Sequence, residues 1–140
     1  MKHLSKLMGA SLLLIALSIP QSAIYAGPSL KVLGWGAKSG PLKSFGVNSE
    51  AALRSAVAEI NSAGGVRMGD GSMAPMEVIG YEDSACKKDE AIAILRKTAS
   101  TTDAIVGMGT TCSGVCQAMF GVLQKKVEDT SDSGVQMPIL

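Results

Sequence analysis

The spacing of apolar positions changes several times along the chain, and each change marks an element. Leu7 to Ile19 is an apolar run, preceded by Lys2, His3 and Lys6 and broken by Pro20. Beyond it the pattern shortens. Leu30-Lys31-Val32-Leu33-Gly34-Trp35 predicts a strand, and Gly36-Ala37-Lys38-Ser39-Gly40-Pro41 is a loop by composition. Asn48-Ser49-Glu50 is a helix start, and Leu53, Ala56, Val57 and Ile60 follow at the i, i+3, i+4, i+7 spacing of an amphipathic helix. Gly64-Gly65 stops that helix. Met76 to Tyr81 predicts a second strand. Asp89 can cap a second helix, with Ile92, Leu95 and Ala99 on one face and Arg96 and Lys97 near its end. Asp103 to Val106 leads into a third strand. Val115, Ala118, Met119, Val122 and Leu123 form the clearest helical stripe in the chain. Asp129 to Gly134 is rich in turn formers, and Val135 to Leu140 begins a fourth strand.

This alternation implies an α/β fold of three layers, αβα, around a parallel sheet. Right-handed crossovers make the expected strand order 2-1-3-4. No helix follows the fourth strand to cover it, so the chain is expected to be the N-terminal piece of something longer. The apolar run near the start carries a different expectation. A basic start, a short apolar core and Ser22-Ala23-Ile24-Tyr25-Ala26 make a signal peptide over residues 1–26, cleaved after Ala26. A membrane span needs about 20 apolar residues, and this run is shorter. No cysteine stands at the cleavage site for a lipid anchor.

Cleavage removes Lys2 and Lys6 but no acid, which turns the formal charge of +1 slightly negative. That is no footprint for nucleic acid or an anionic membrane. Export would place the three cysteines in an oxidising compartment, where an odd count leaves one thiol over. The single histidine, His3, leaves with the signal peptide, so no Ser-His or Cys-His catalytic pair can form. A fourth zinc ligand is lacking for the same reason, and no metal or cofactor is expected.

Two glycine-rich stretches fail as phosphate loops. In Gly34 to Gly40 the residue before Lys38-Ser39 is Ala37, where a P-loop needs glycine. In Gly107-Met108-Gly109-Thr110-Thr111-Cys112 the third glycine of a dinucleotide fingerprint is Cys112. Cys86 and Cys112 lie just beyond the second and third strands, at one edge of a 2-1-3 sheet. A bridge between them would close a loop of roughly 27 residues, worth roughly 3.5 kcal/mol in the chain-entropy picture. Cys116 then reads as a small buried helix residue. Thr110 to Gly114 stands at a helix N-terminus, whose free amides favour an anion. On spacing alone, Ser113 is equally a plain helix cap or a contact for a bound carboxylate.

Four stretches together resemble a known family, the type I periplasmic solute-binding proteins that serve as branched-chain amino-acid receptors of ABC transporters. Leu33 to Pro41 resembles the family's first strand and Ser-Gly-Pro loop. Ala58 to Val66 is similar to its EINAAGGV helix end, Tyr81 to Cys86 to its DDAC strand end, and Gly107 to Val115 to its VGxxCSG turn. Order and spacing agree over essentially all of residues 27–140, though Lys87-Lys88 replaces the family's Asp-Pro and Cys116 lies outside its pattern. The resemblance implies a two-lobed clamshell, of which 27–140 would supply most of the N-terminal lobe, with the second lobe absent. It implies a periplasmic, non-enzymatic protein that binds a small amino acid or related carboxylate and passes it to an inner-membrane permease. Cys86 and Cys112 match the family's disulfide. Ser113 matches its serine for the ligand carboxylate, Thr111 a main-chain contact, and Phe45 an aromatic against the ligand side chain.

Overall fold

The computed structural model describes residues 27–123, 134–135 and 137–140. The expected signal peptide and most of the turn-rich segment 129–134 lie outside the described residues. Strand β1 (Leu30–Gly36) leads through a 3-10 turn (Gly40–Leu42) into helix α1 (Lys43–Ser62). A short hairpin follows, β2 (Val66–Arg67) and β3 (Met73–Ala74), then strand β4 (Met76–Asp83), helix α2 (Lys88–Thr101), strand β5 (Val106–Met108) and helix α3 (Ser113–Leu123).

The main sheet is parallel with order β4-β1-β5. Among the described residues, the segment expected as a fourth strand adds one parallel bridge, Ile139 to Gly107. Gly107 N–H donates to the Pro138 carbonyl and Leu140 N–H donates to the Gly107 carbonyl. Pro138 has no N–H to extend the ladder, which limits the pairing. The spatial order is therefore the expected 2-1-3-4, with its last member reduced to a bridge.

Alternation along β1 divides the core. Val32 packs with Leu53 and Val57 of α1 on one face. Leu33 and Trp35 pack with Ala91 and Leu95 of α2 and with Val115 and Met119 of α3 on the other. Successive strand residues point to opposite faces, so one strand serves both helical layers. Near the start of β1 the register against β4 slips between Val32 and Leu33.

Several expected boundaries shift. Helix α1 begins at Lys43, not at Asn48, because Pro41 sits in the first turn of the preceding 3-10 helix, where its missing N–H is no loss. Its buried positions are Gly46, Leu53 and Val57, while Ala56 and Ile60 are exposed. In α2 the capping position is Lys87 without a side-chain cap, and Asp89 lies inside the first turn, where its charge suits the dipole. Its buried face is Ala91, Leu95 and Thr98; Ile92 is half-buried and Ala99 exposed. Helix α3 carries the stripe as expected, with Val115 and Met119 buried. Gly64 and Gly65 end α1 at φ of 103° and 84°, a conformation that favours glycine. Asn61 fastens that end to the sheet: its side-chain amide donates to the Met76 carbonyl and accepts from the Met76 N–H, both at 2.8 Å.

Candidate functional site

A cavity of about 190 Å³ opens where the parallel strands end at their carboxyl edge. Open α/β sheets offer ligands a crevice at this edge. The lining comes from four strands' worth of chain: Trp35, Tyr81, Met108 to Thr111, and Leu140, with Ser49 from α1.

Two aromatic rings set the walls, each made possible by glycines. Tyr81 lies over Gly34 and Gly36: a Cβ on Gly34 would stand 2.4 Å from its ring, and one on Gly36 2.5 Å from its hydroxyl. Trp35, on the opposite face of the sheet, lies across Gly107 and Gly109 in the same manner. Burial pushes the Tyr81 phenol up; the charge of Glu50 adds to this, and Ser49 and Lys38 oppose it. The Lys38 ammonium stands 5.5 Å from the Tyr81 ring centroid and is paired with Glu50, which also binds Arg54. These cations hold the Glu50 carboxyl below its usual range, chiefly through the hydrogen bond from Lys38.

Behind the cavity, the loop after β4 is tied to the start of α3. Cys86 and Cys112 form a disulfide with S–S 2.01 Å and Cα atoms 5.8 Å apart. The loop turns through left-handed backbone at Ala85 and Cys86, with φ of 47° and 59°. Asp83 supports the turn, its Oδ1 accepting from the N–H groups of Ala85 and Lys38 at 2.8 Å each. These bonds, with that of Ser39 foremost, hold the Asp83 carboxyl low. Cys116 is free and half-buried rather than fully buried.

The residues predicted for the site separate here. Thr111 lines the cavity. Ser113 is the first residue of α3 and is exposed; it does not cap the helix, because the Cys112 carbonyl accepts from Val115 and Cys116 and so occupies the capping position. Phe45 lies in the first turn of α1 with 59% of its surface exposed, outside the cavity lining. Trp35, Ser49, Tyr81 and Thr110 were missed. The available signal was Trp35 as the last large residue of a strand that ends at the ligand edge. Among the described residues no cluster of three or more His, Cys, Asp or Glu could hold a metal, and no helix is long and apolar enough to cross a membrane.

Solved structures share this fold. A periplasmic binding protein type 1 from Bordetella pertussis Tohama I matches with 25% sequence identity and a TM-score of 0.58, over 66% of this chain and 24% of that one. The branched-chain amino acid transporter substrate-binding protein of Streptococcus pneumoniae, solved with isoleucine, matches with 27% identity and a TM-score of 0.55, over 64% and 24%. An ABC transporter substrate-binding protein from Sphaerobacter thermophilus matches with 26% identity and a TM-score of 0.54, over 81% and 26%. The chain carries the fold of a type I periplasmic binding protein lobe. It spans about a quarter of the length of these neighbours. No protein-family model matches the sequence, and no curated protein matches it either. The neighbours are themselves binding proteins.

Proposed function

We propose that the protein is the substrate-binding component of an ABC transporter, holding a small amino acid of branched-chain type, or a related carboxylate or amide, in the periplasm for an inner-membrane permease. The observation that carries this reading is the cavity at the carboxyl edge of the sheet, bordered by the Thr110-Thr111 turn that leads into α3. Free amides at a helix N-terminus attract a carboxylate. In this reading Ser113 and Thr111 hold the ligand carboxylate and Phe45 covers its side chain. Residues 1–26 direct export and are removed.

A single lobe leaves one side of its ligand in water. Binding by this chain is therefore expected near 1 mM, or about −4 kcal/mol. The test is to export the chain, confirm the mass expected for cleavage after Ala26, and follow amide NMR shifts during titration with L-leucine and L-isoleucine. Shifts should concentrate at Thr110 to Gly114. Ser113→Ala should weaken binding about tenfold or more, as a hydrogen bond to a charged group is worth about 1.5–3 kcal/mol. No shift with any amino acid, or unchanged affinity in Ser113→Ala, would overturn the assignment of the carboxylate to α3.

A further inference from the structure

We infer that Lys38 is a positioning residue for the ligand cavity: its ammonium, anchored to α1 through Glu50, holds Tyr81 in place as the cavity wall on the α1 side. This deepens the binding reading above and rests on it.

Tyr81 and Ser49 both line the cavity, and both are half-buried, so each presents surface to it. Ser49 also stands at the Tyr81 phenol as a hydrogen-bond partner. Strand β1 gives the ring a bare seat. Tyr81 is in register with Gly34, and a Cβ on Gly34 or Gly36 would collide with its ring or its hydroxyl. Tyr81 packs beside the cluster of Val32, Leu53 and Val57. Apolar packing of this kind is non-directional, so it does not by itself set the tilt of the ring. An ammonium over an aromatic face is directional, and the Lys38 Nζ stands over this one, 5.5 Å from its centroid.

Lys38 is tied to three elements. Its backbone N–H donates to Asp83 Oδ1 at 2.8 Å, its Nζ donates to the Tyr81 carbonyl at 3.4 Å, and the same Nζ pairs with Glu50 on α1. Glu50 is fixed in turn: Oε2 faces Lys38, while Oε1 takes Arg54, one helical turn on, at 2.8 Å. Glu50 directly follows Ser49 in the chain. Two lining residues, Tyr81 and Ser49, are thus joined through Lys38 and Glu50, neither of which lines the cavity. The Lys38 and Glu50 side chains are 32% and 20% exposed. Ion pairs with this much access to water add little to overall stability, so the effect of Lys38 is expected on the wall and not on the fold.

The exported chain and three variants, Lys38→Met, Lys38→Arg and Glu50→Gln, are titrated with L-leucine by NMR. The Tyr81 ring signals, identified by their loss in Tyr81→Phe, are followed beside the amide shifts, and urea unfolding is run on each variant. Lys38→Met should weaken leucine binding about threefold to tenfold and displace the Tyr81 ring signals, with the urea midpoint close to that of the wild type. Lys38→Arg, which keeps a cation able to stack on the ring and to pair with Glu50, should restore both affinity and ring signals. Glu50→Gln removes the anchor without touching the ring and should act in the same direction as Lys38→Met; it carries the test alone should Lys38→Met not fold. Unchanged affinity in Lys38→Met and Glu50→Gln, a loss of affinity with the Tyr81 signals unmoved, or no rescue by arginine overturns this inference and leaves the general binding reading standing. Failure of the wild type to bind leucine or any other amino acid overturns both.

Discussion

Breaking the Cys86–Cys112 bridge should cost this lobe a large part of its stability. The bridge joins residues 26 apart in sequence, across the segment that contains α2 and β5. Closing a loop of that length in the unfolded chain corresponds to about 3.5 kcal/mol in the chain-entropy description. Domains of this size are stable by only about 5–15 kcal/mol in all, so the bridge accounts for a quarter to more than half of the margin. Cys112 is also buried in the cluster with Trp35, Leu95 and Val115, which makes alanine the right replacement there: serine would add an unpaired buried hydroxyl. The experiment is urea unfolding of the wild type with and without reductant, beside the Cys86→Ala/Cys112→Ala double variant. With an m-value of about 1–3 kcal/mol/M, the midpoint should fall by about 1–3 M in both comparisons. If reductant and the double variant leave the midpoint where it was, the loop-closure reasoning fails. Peptide mapping that recovered a Cys86–Cys116 bridge would refute the pairing itself.

Leu95→Ala removes a side chain with 0% exposure between α2 and the sheet and should cost about 2–5 kcal/mol in chemical unfolding. Gly107→Ala places a methyl 2.3 Å from the Trp35 ring; it should destabilise by about 1–3 kcal/mol and change the tryptophan emission, whereas Gly69→Ala, which meets nothing within 4 Å, should leave that emission unchanged. Asn61→Asp keeps the acceptor for Met76 N–H but sets a carboxylate against the Met76 carbonyl in place of a donor, and a loss of about 1–3 kcal/mol is expected in the same assay. Asp83 has its pKa lowered in the folded state by Ser39 and by the backbone N–H groups of Ala85, Lys38 and Ser39. Its contribution is therefore present above the unfolded value, about pH 4, and is lost as the pH falls through the lower folded value. Asp83→Asn should flatten the acid limb of the stability–pH profile, and an unchanged limb would remove Asp83 from that account.

The helices and strands were legible because their signals are local. The stripe from Val115 to Leu123 and the glycine pair at 64–65 act through neighbours three or four residues away, or through one residue's own φ. The parallel order followed from alternation alone, and the cysteines could be matched because the order sets both beyond strand ends on one edge. Boundaries were less legible where a local rule has two outcomes: Pro41 can break a helix or begin one, and here it stands in the 3-10 turn that leads directly into α1 at Lys43, with Gly46 packed against Ala37 too closely for any Cβ. The short hairpin β2–β3 left too few residues for a periodicity to register. The cavity was hidden for a different reason. Trp35, Ser49, Tyr81 and Thr110 are scattered over the sequence and meet only because β4, β1 and β5 end side by side. Whether the Trp35 N–H would be paired depended on which way the indole lies on Gly107 and Gly109, a matter of close packing between strands distant in sequence. Sequence determined which segments could form elements and which chemistry was available. Tertiary contact decided which buried polar groups found a partner, since hydrogen-bond satisfaction in a buried edge depends on every strand that reaches it.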